Sequence, residues 1–396
     1  MTNISKVDFL GQRVLIRVDF NVPLDQDLNI TDDSRMVAAL PTIKKVIDSG
    51  GIAIILSHLG RPKNGFEKPF SLKNLVPHLS FLLDKPVSFL SDCIGRKNTI
   101  EIQKMSNGGV VLLENLRFYP EEKRGDRCFA KKLANLGDVY INDAFGAAHR
   151  AHASTSIIAK FFPKNKHLGL LLSKEVSSLE QILHKPERPF TAVIGGAKIS
   201  GKIDVIESLL KKVDNLIVGG GMAYTFAKAM GGEVGSSIVE NEKISLANKI
   251  IARAKKSGAN LLLPTDSLNA SSFNNSADTN TSNILSISKN YMGLDIGKES
   301  IGMFCSVILK SKTIIWNGPM GVFELSAFES GTKKIGEAIC LATKKGAFSL
   351  IGGGDSIAAV KKFNFNGRVS YISTGGGAML EYLEGKKLPG ISAIIN

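Results

Sequence analysis

The sequence predicts an α/β protein made of two doubly wound, Rossmann-like domains with parallel sheets, joined by a hinge helix. Three observations carry that expectation. Short apolar, β-branched runs alternate with stretches of helical spacing along the chain, which is the pattern of βαβ units. The 396 residues are too many for one ordinary core, so two domains are expected. Four apolar runs end in glycine-rich joints leading toward a helix: TAVIGGAKIS (191–200), NLIVGGGMAYTF (215–226), GAFSLIGGGDSIAAV (346–360) and VSYISTGGGAML (369–380). In a single parallel sheet these joints gather along the carboxyl edge of the strands, where such folds bind ligands.

In order, RVLIRVDF (13–20) reads as a strand followed by the turn NVPLDQD. Asp33 or Ser34 can cap a helix to about Ser49, stopped by Gly50 and Gly51. GIAIILSH (51–58) is a buried strand, and LGRPKNGFEKP a polar loop. A helix near 71–84, a short strand VSFL, a helix near 95–105 and the strand VVLLEN (110–115) follow. After another helix, the strand DVYIND runs into a loop bearing His149, Arg150 and His152. LGLLLSKEVSSLEQIL (168–183) has helical spacing with no Gly or Pro after Gly169, and is expected to connect the domains. The second half resumes the alternation with TAVIGG, NLIVGG and LLLPTD (261–266). Ser271–Asn290, rich in Ser and Asn, reads as a surface excursion. SKTIIWNGPMGVFE, a helix and the last two glycine joints complete the chain. The expected boundaries are a first domain over 1–168, a hinge helix over 169–185, a second domain over 186–375, and a segment 376–396 placed to pack back on the first domain.

Composition is that of a globular chain, with 43% hydrophobic and 22% charged residues. No apolar run approaches bilayer-spanning length and the first residues lack a signal-peptide core, so the cytoplasm is expected. Cys93, Cys128, Cys305 and Cys340 lie far apart without a CxxC pair, so reduced thiols are expected. The net charge of +14 raises a polyanion-binding protein as an alternative. Its distribution argues against a nucleic-acid tail: residues 1–168 and 169–396 each carry +7, with no terminal basic block. Arginine is not even. Nine of twelve precede position 169, whereas the glycine triplets follow it. Arginine suits planar, bidentate capture of carboxylate and phosphate. One half thus suits a small anion and the other the phosphates of a nucleotide.

Glycines let the backbone approach a bulky anion, and helix N-termini direct N–H groups at it. Asp355, at such a helix mouth, has the hard oxygen donor a divalent cation prefers, although Asp355 or Ser356 also fits an ordinary N-cap. Lys198 and Lys202 follow Gly195 and Gly196, and their spacing places them on one face if the segment is helical. GAKISGKI (196–203) nearly matches a Walker A loop, but Ile203 stands where the metal-binding hydroxyl belongs. A generic ATP-hydrolysing, P-loop-like protein is therefore the runner-up.

The motifs RVDFNVP (17–23), SHLGRP (57–62), ENLRF (114–118), DAFGAAHRAHAST (143–155), GGAKISGK (195–202), WNGPMGVFE (316–324), GGGDS (352–356) and STGGGA (373–378) occur in order across the chain. Together they make it resemble the phosphoglycerate kinase family. The resemblance implies two domains closing on a cleft, and reversible transfer of the acyl phosphate of 1,3-bisphosphoglycerate to ADP, giving 3-phosphoglycerate and ATP. It places Asp19, Phe20, Asn21, Arg35, His58, Leu59, Gly60, Arg61, Arg117 and Arg150 on the triose-phosphate side. Arg17 is left outside the site, as a structural ion-pair partner. On the nucleotide side it places Gly195, Lys198, Lys202, Gly219, Gly293, Asn317, Glu324, Gly353, Gly354, Asp355 and Ser356, with Asp355 toward Mg²⁺. Arg35, Lys198, Lys202 and the amides of Gly375 and Gly376 are the implied catalytic groups. The resemblance further implies Mg²⁺ with ATP or ADP, small-molecule substrates, no nucleic acid or membrane, and a monomer. The chain departs from the family pattern at Gly201, at Lys298 and across 271–290.

Overall fold

The computed structural model describes residues 4–395, which divide into two compact units. The first holds the chain up to Ser177 together with the stretch from Lys387 onward; the second holds Ser178–Lys386. The division falls within the helix Leu170–His184.

In the first unit, β1 (Arg13–Arg17), β2 (Ile52–Leu56), β3 (Ser88–Leu90), β4 (Val110–Leu113), β5 (Val139–Asn142) and β6 (Lys166–Leu168) form a parallel sheet in the order β3-β4-β2-β1-β5-β6. Every residue of β2, β4 and β5 is buried, as expected for strands covered on both faces, where β-branched and leucine runs replace alternation. The core sets Ile16, Val18 and Phe20 against Ile55, Leu112 and Ile141. From β1 the chain forms β2, then the edge strand β3, then β4 between them, before crossing to β5 on the other side of β1. Between β1 and β5 lies a topological switch point, where an open sheet makes a crevice at its strand ends. Register puts Arg17 beside Leu56 and Asn142, so the loops after β1, β2 and β5 leave from one level.

The second unit repeats the plan. β7 (Phe190–Ile194) and β8 (Asn215–Val218) are followed by β9 (Glu233–Val234), β10 (Asn260–Leu262), β11 (Asp266–Ala270), β12 (Thr279–Asn283), β13 (Ser286–Ile287), β14 (Met292–Ile296), β15 (Thr313–Asn317), β16 (Phe348–Ile351) and β17 (Tyr371–Ile372). The main sheet runs β10-β8-β7-β15-β16-β17, all parallel, with its switch between β7 and β15. Trp316, Phe304, Ile335 and Phe365 centre its core.

Several expectations are corrected. The run 261–266 is not one strand: β10 ends at Leu262, and β11 starts at Asp266 in a separate sheet. The 271–290 stretch is not a plain excursion, because β12 pairs antiparallel with β11 to make the sheet β12-β11-β14. Thr279, Thr281 and Asn283 of β12 face solvent, while the alternate Asn280 and Ser282 are half-buried and accept from the buried Asn269. The return to the first unit begins at Lys387 rather than 376. The helix Gly377–Leu383 stays in the second unit, where Ser208 Oγ donates to the Leu383 carbonyl. The helix Pro389–Ile395 packs in the first, with Gly390 against Ala148 and Lys166 Nζ donating to the Ala393 carbonyl at 2.8 Å.

At Lys298 the helix Lys298–Ile308 starts without proline, and Asp266 supplies its cap. Its carboxylate accepts from the amides of Glu299 at 3.0 Å and Ser300 at 2.9 Å. Gly297 is needed beside it, since a Cβ there would lie 2.1 Å from Asp266 Oδ2. Among the described residues, no helix is long and apolar enough to cross a membrane.

Candidate functional site

In the first unit the candidate residues leave the carboxyl ends of β1, β2, β4 and β5. Asp19 follows β1 and is paired with Arg35, whose Nη1 lies 2.8 Å from Asp19 Oδ2. Arg35 sits in the first turn of the helix Ser34–Asp48 and keeps 37% of its side chain exposed, so it is anchored yet available to a ligand. His58 Nε2 lies 3.8 Å from the other Asp19 oxygen. The His58 ring is buried, and burial first, then the cations Arg17, Arg117 and Arg35, hold its pKa well below the ordinary value. It therefore meets a ligand as a neutral ring.

The loop after β2 is fixed by carboxamides. Asn21 Oδ1 accepts from the Gly60 amide at 2.8 Å, and the Asn115 amide nitrogen donates to the Leu59 and Phe70 carbonyls at 2.7 and 2.8 Å. Gly60 has φ +61°, and a Cβ there would lie 2.3 Å from the Phe70 ring, so only glycine fits. Asn115 Oδ1 also accepts from the Arg117 amide, while Arg117 Nη1 donates to the Gly60 carbonyl at 2.7 Å. Burial, with Arg17 adding to it, lowers Arg117 to about 10, which leaves it cationic at neutral pH. Its Nε is buried without a hydrogen-bond partner, a donor left for an incoming anion. Arg61 and Arg150 are exposed on their loops. Phe20 and Leu59 are buried, Phe20 with its amide on Ser57 Oγ at 2.9 Å, so both shape the floor rather than present a side chain.

In the second unit the glycine joints knit the strand ends together. The Gly195 amide donates to the Asn317 carbonyl at 2.9 Å and the Gly219 amide to the Ile194 carbonyl at 3.0 Å. A Cβ at Gly195 would lie 2.0 Å from the Pro319 carbonyl, and one at Gly219 2.4 Å from Met320 Sδ. These two glycines allow loops to cross closely and do not point free amides outward. The segment 195–202 is not helical, since the helix begins at Ile203, so the expected shared face of Lys198 and Lys202 is absent. Lys198 is exposed. Lys202 contacts Asn317 Oδ1; burial lowers its pKa, against an opposing pull from Asp355. Glu240 holds this loop by accepting from the Ser200 amide at 3.1 Å.

The joint after β16 keeps more capacity. Gly353, at φ +96°, caps the helix Gly354–Lys362, whose first-turn amides have no partner within the helix. Asp355 is exposed there, while the Ser356 hydroxyl is turned inward and accepts from the Gly318 amide at 2.6 Å. After β17, the Gly375 amide donates to Ser373 Oγ at 3.1 Å. Gly376 caps the following helix with φ +49°.

Gly293, Glu324 and Asp355 come together around a cavity of about 460 Å³. Its walls include Tyr224, Ile238, Phe273, Met292, Pro319 and Val322, none singled out from the sequence. Gly293 makes the wall flat, because a Cβ there would lie 2.1 Å from Tyr224 Oη. An apolar slot with two carboxylates and glycine-rich backbone around it fits a flat ring carrying a sugar and phosphates.

Residues 4–386 match the family model described as phosphoglycerate kinase. The chain is 51% identical to a phosphoglycerate kinase of Porphyromonas gingivalis and 50% identical to one of Chlorobium chlorochromatii, over 99% of both chains in each case. Among solved structures, phosphoglycerate kinase from Coxiella burnetii superposes with a TM-score of 0.90 at 41% identity, covering 99% of this chain and 98% of that one. Phosphoglycerate kinase from Pyrococcus horikoshii gives 0.86 at 32% identity, covering 100% and 98%.

Proposed function

The chain belongs to the phosphoglycerate kinase family and is a kinase of that type, and from that premise we propose that it moves a phosphoryl group reversibly between 1,3-bisphosphoglycerate and ADP. The observation that best supports this reading is the split in chemistry: cationic side chains meet at the strand ends of one unit, and an apolar cavity edged by glycine loops occupies the other.

Arg35, Arg61, Arg117 and Arg150 bind the phosphate and carboxylate of the triose, with Asp19, Asn21 and His58 orienting its hydroxyl end. The base enters the cavity past Tyr224 and Phe273, Glu324 takes the ribose hydroxyls, and Gly353–Ser356 take the phosphates. Asp355 fits a hard cation shared with those phosphates. Among the described residues no group of three or more His, Cys, Asp or Glu could hold a metal, so the nucleotide itself would supply most of the ligands. When bound, Mg²⁺ neutralises phosphate charge. Phosphoryl transfer asks mainly for positioning and electrostatics. Arg35 and Lys198 supply positive charge to the moving group, Lys202 with Asn317 steadies the loop beneath it, and Gly376 contributes its amide. No general base is needed, because the acceptor carboxylate is ionised at neutral pH.

Direct in-line transfer between ligands held in different units requires closure, with the helix Leu170–His184 as the hinge. We place this activity in a cytoplasmic monomer. A coupled assay with 3-phosphoglycerate, ATP and Mg²⁺ tests the reading. Turnover should need all three, and ATP hydrolysis independent of 3-phosphoglycerate would overturn it. Small-angle scattering should show a smaller radius with both ligands bound; no change would remove the closure step.

A further inference from the structure

Arg17, the last residue of β1, is only 1% exposed and too deep to meet a ligand, yet its guanidinium is engaged on every side. Nε donates to Ser154 Oγ at 2.8 Å, Nη1 contacts the Val18 carbonyl, and Nη2 lies 3.1 Å from His58 Nδ1. Ser154 is itself fastened from behind. Its hydroxyl donates to Glu122 Oε1 at 2.6 Å and its amide to Glu122 Oε2 at 3.0 Å, with Glu122 fully buried. Arg17 therefore donates in two directions, forward to the His58 ring and back to Ser154, whose own hydrogens go on to Glu122.

A guanidinium has only donors and does not release a proton in proteins. At 3.1 Å from Arg17, His58 Nδ1 has to supply a lone pair, and a neutral ring that does so carries its hydrogen on Nε2. Nε2 is the nitrogen that faces Asp19, 3.8 Å from Oδ1. We propose that Arg17 is a positioning residue that locks His58 in the Nε2–H tautomer, so that the triose site offers a hydrogen-bond donor there rather than a lone pair. The opposite tautomer would set two donors head to head behind the ring and turn a lone pair toward an anion. The groups around the ring favour the same neutral state: burial acts first, then Arg17, Arg117, Arg35 and His152, with Asp19 the carboxylate facing Nε2. The inference rests on the proposed role of His58 at the triose site.

Ring-nitrogen NMR on the full-length chain labelled in its six histidines tests it, with His58→Asn identifying the signal. The wild-type His58 ring should show a protonated Nε2 and a bare Nδ1 at neutral pH. Arg17→Met should bring out an Nδ1–H form and raise KM for 3-phosphoglycerate about tenfold, with KM for ATP unchanged. Arg17→Lys, which keeps the buried charge and a donor, should hold the wild-type ring signature. A wild-type ring protonated at Nδ1 overturns the proposal without any variant, even should both substitutions prevent folding. A folded Arg17→Met chain with the wild-type signature also overturns it. Absence of kinase turnover in the wild type would sink the functional reading instead, because the ring signature is read without substrate.

Discussion

At the strand ends of the first unit the groups that face a ligand are guanidiniums, a carboxylate and a carboxamide; at those of the second they are peptide groups brought close by missing Cβ atoms. The two sheets share one plan, with a switch point between a central pair of strands, so the scaffold does not explain the contrast. The ligand does. A small, highly charged anion can be gripped by a few long side chains braced from behind, as Asn115 braces Arg117 and Asp19 braces Arg35. A nucleotide needs a slot for a flat ring and a backbone that can approach phosphate, which glycine permits.

The strongest way to break this comparison is to remove charge on each side. Arg35→Ala and Lys198→Ala should each lower kcat by about a hundred- to a thousandfold with circular dichroism unchanged. Near-normal turnover in either would refute its assigned role. A second comparison lies in the cores, where Asp143 packs against Gly169 in the first unit and Asp295 against Gly321 and Gly331 in the second. Asp143 and Asp295 are both pushed up to about 7 by burial, against an ordinary 3.8 and despite the amides each accepts from. Because the folded pKa is raised, their contribution to stability is full below about 3.8 and is lost as pH rises through about 7. Urea unfolding should show a fall on the order of 4 kcal/mol across that window for each group. Asp295→Asn should flatten its share of the slope, and an unchanged profile would dismiss this account.

Gly353→Ala tests whether the second site is made of backbone. With φ +96° and a Cβ that would come 2.6 Å from Asn317 Nδ2, the variant should lose roughly tenfold or more in kcat. Phe273→Ala should raise KM for ATP by roughly three- to tenfold and leave KM for 3-phosphoglycerate alone. An equal rise in both constants would show that the two regions are not separable. The smallest effect is expected at Gly201, which has an ordinary φ and open space around its Cβ position. Gly201→Ala should stabilise by about 0.4–1 kcal/mol in thermal unfolding; a loss would mean that this turn uses conformations closed to alanine.

Much of the scaffold was legible because buried parallel strands are short apolar runs with glycine or polar stops. The first site was legible for a related reason: polar or charged residues directly after an apolar run mark a strand end, as Asp19, His58 and Arg117 do. The cavity was not. Tyr224, Ile238 and Met292 carry the same apolar signature whether they line a hollow or fill a core, and only tertiary placement separates the two. Phe273 did leave a trace, as a lone aromatic in a polar stretch, but β12 is read as a strand only once its partner β11 is known. Gly195 and Gly219 also allow close loop crossing, and sequence cannot tell an amide spent on a neighbouring carbonyl from one held for phosphate. Arg17, read as a bland ion-pair partner, is instead anchored to Ser154, far along the chain and invisible to any local pattern.

The return of the chain at Lys387 has a consequence for how the protein is made. Ribosomes deliver the N-terminal unit first, but its docking place for the helix Pro389–Ile395 stays empty until all of Ser178–Lys386 has been translated. The early unit therefore waits, with Asn142 and Ala148 lacking their partner Gly390, until the stretch after Lys386 has emerged.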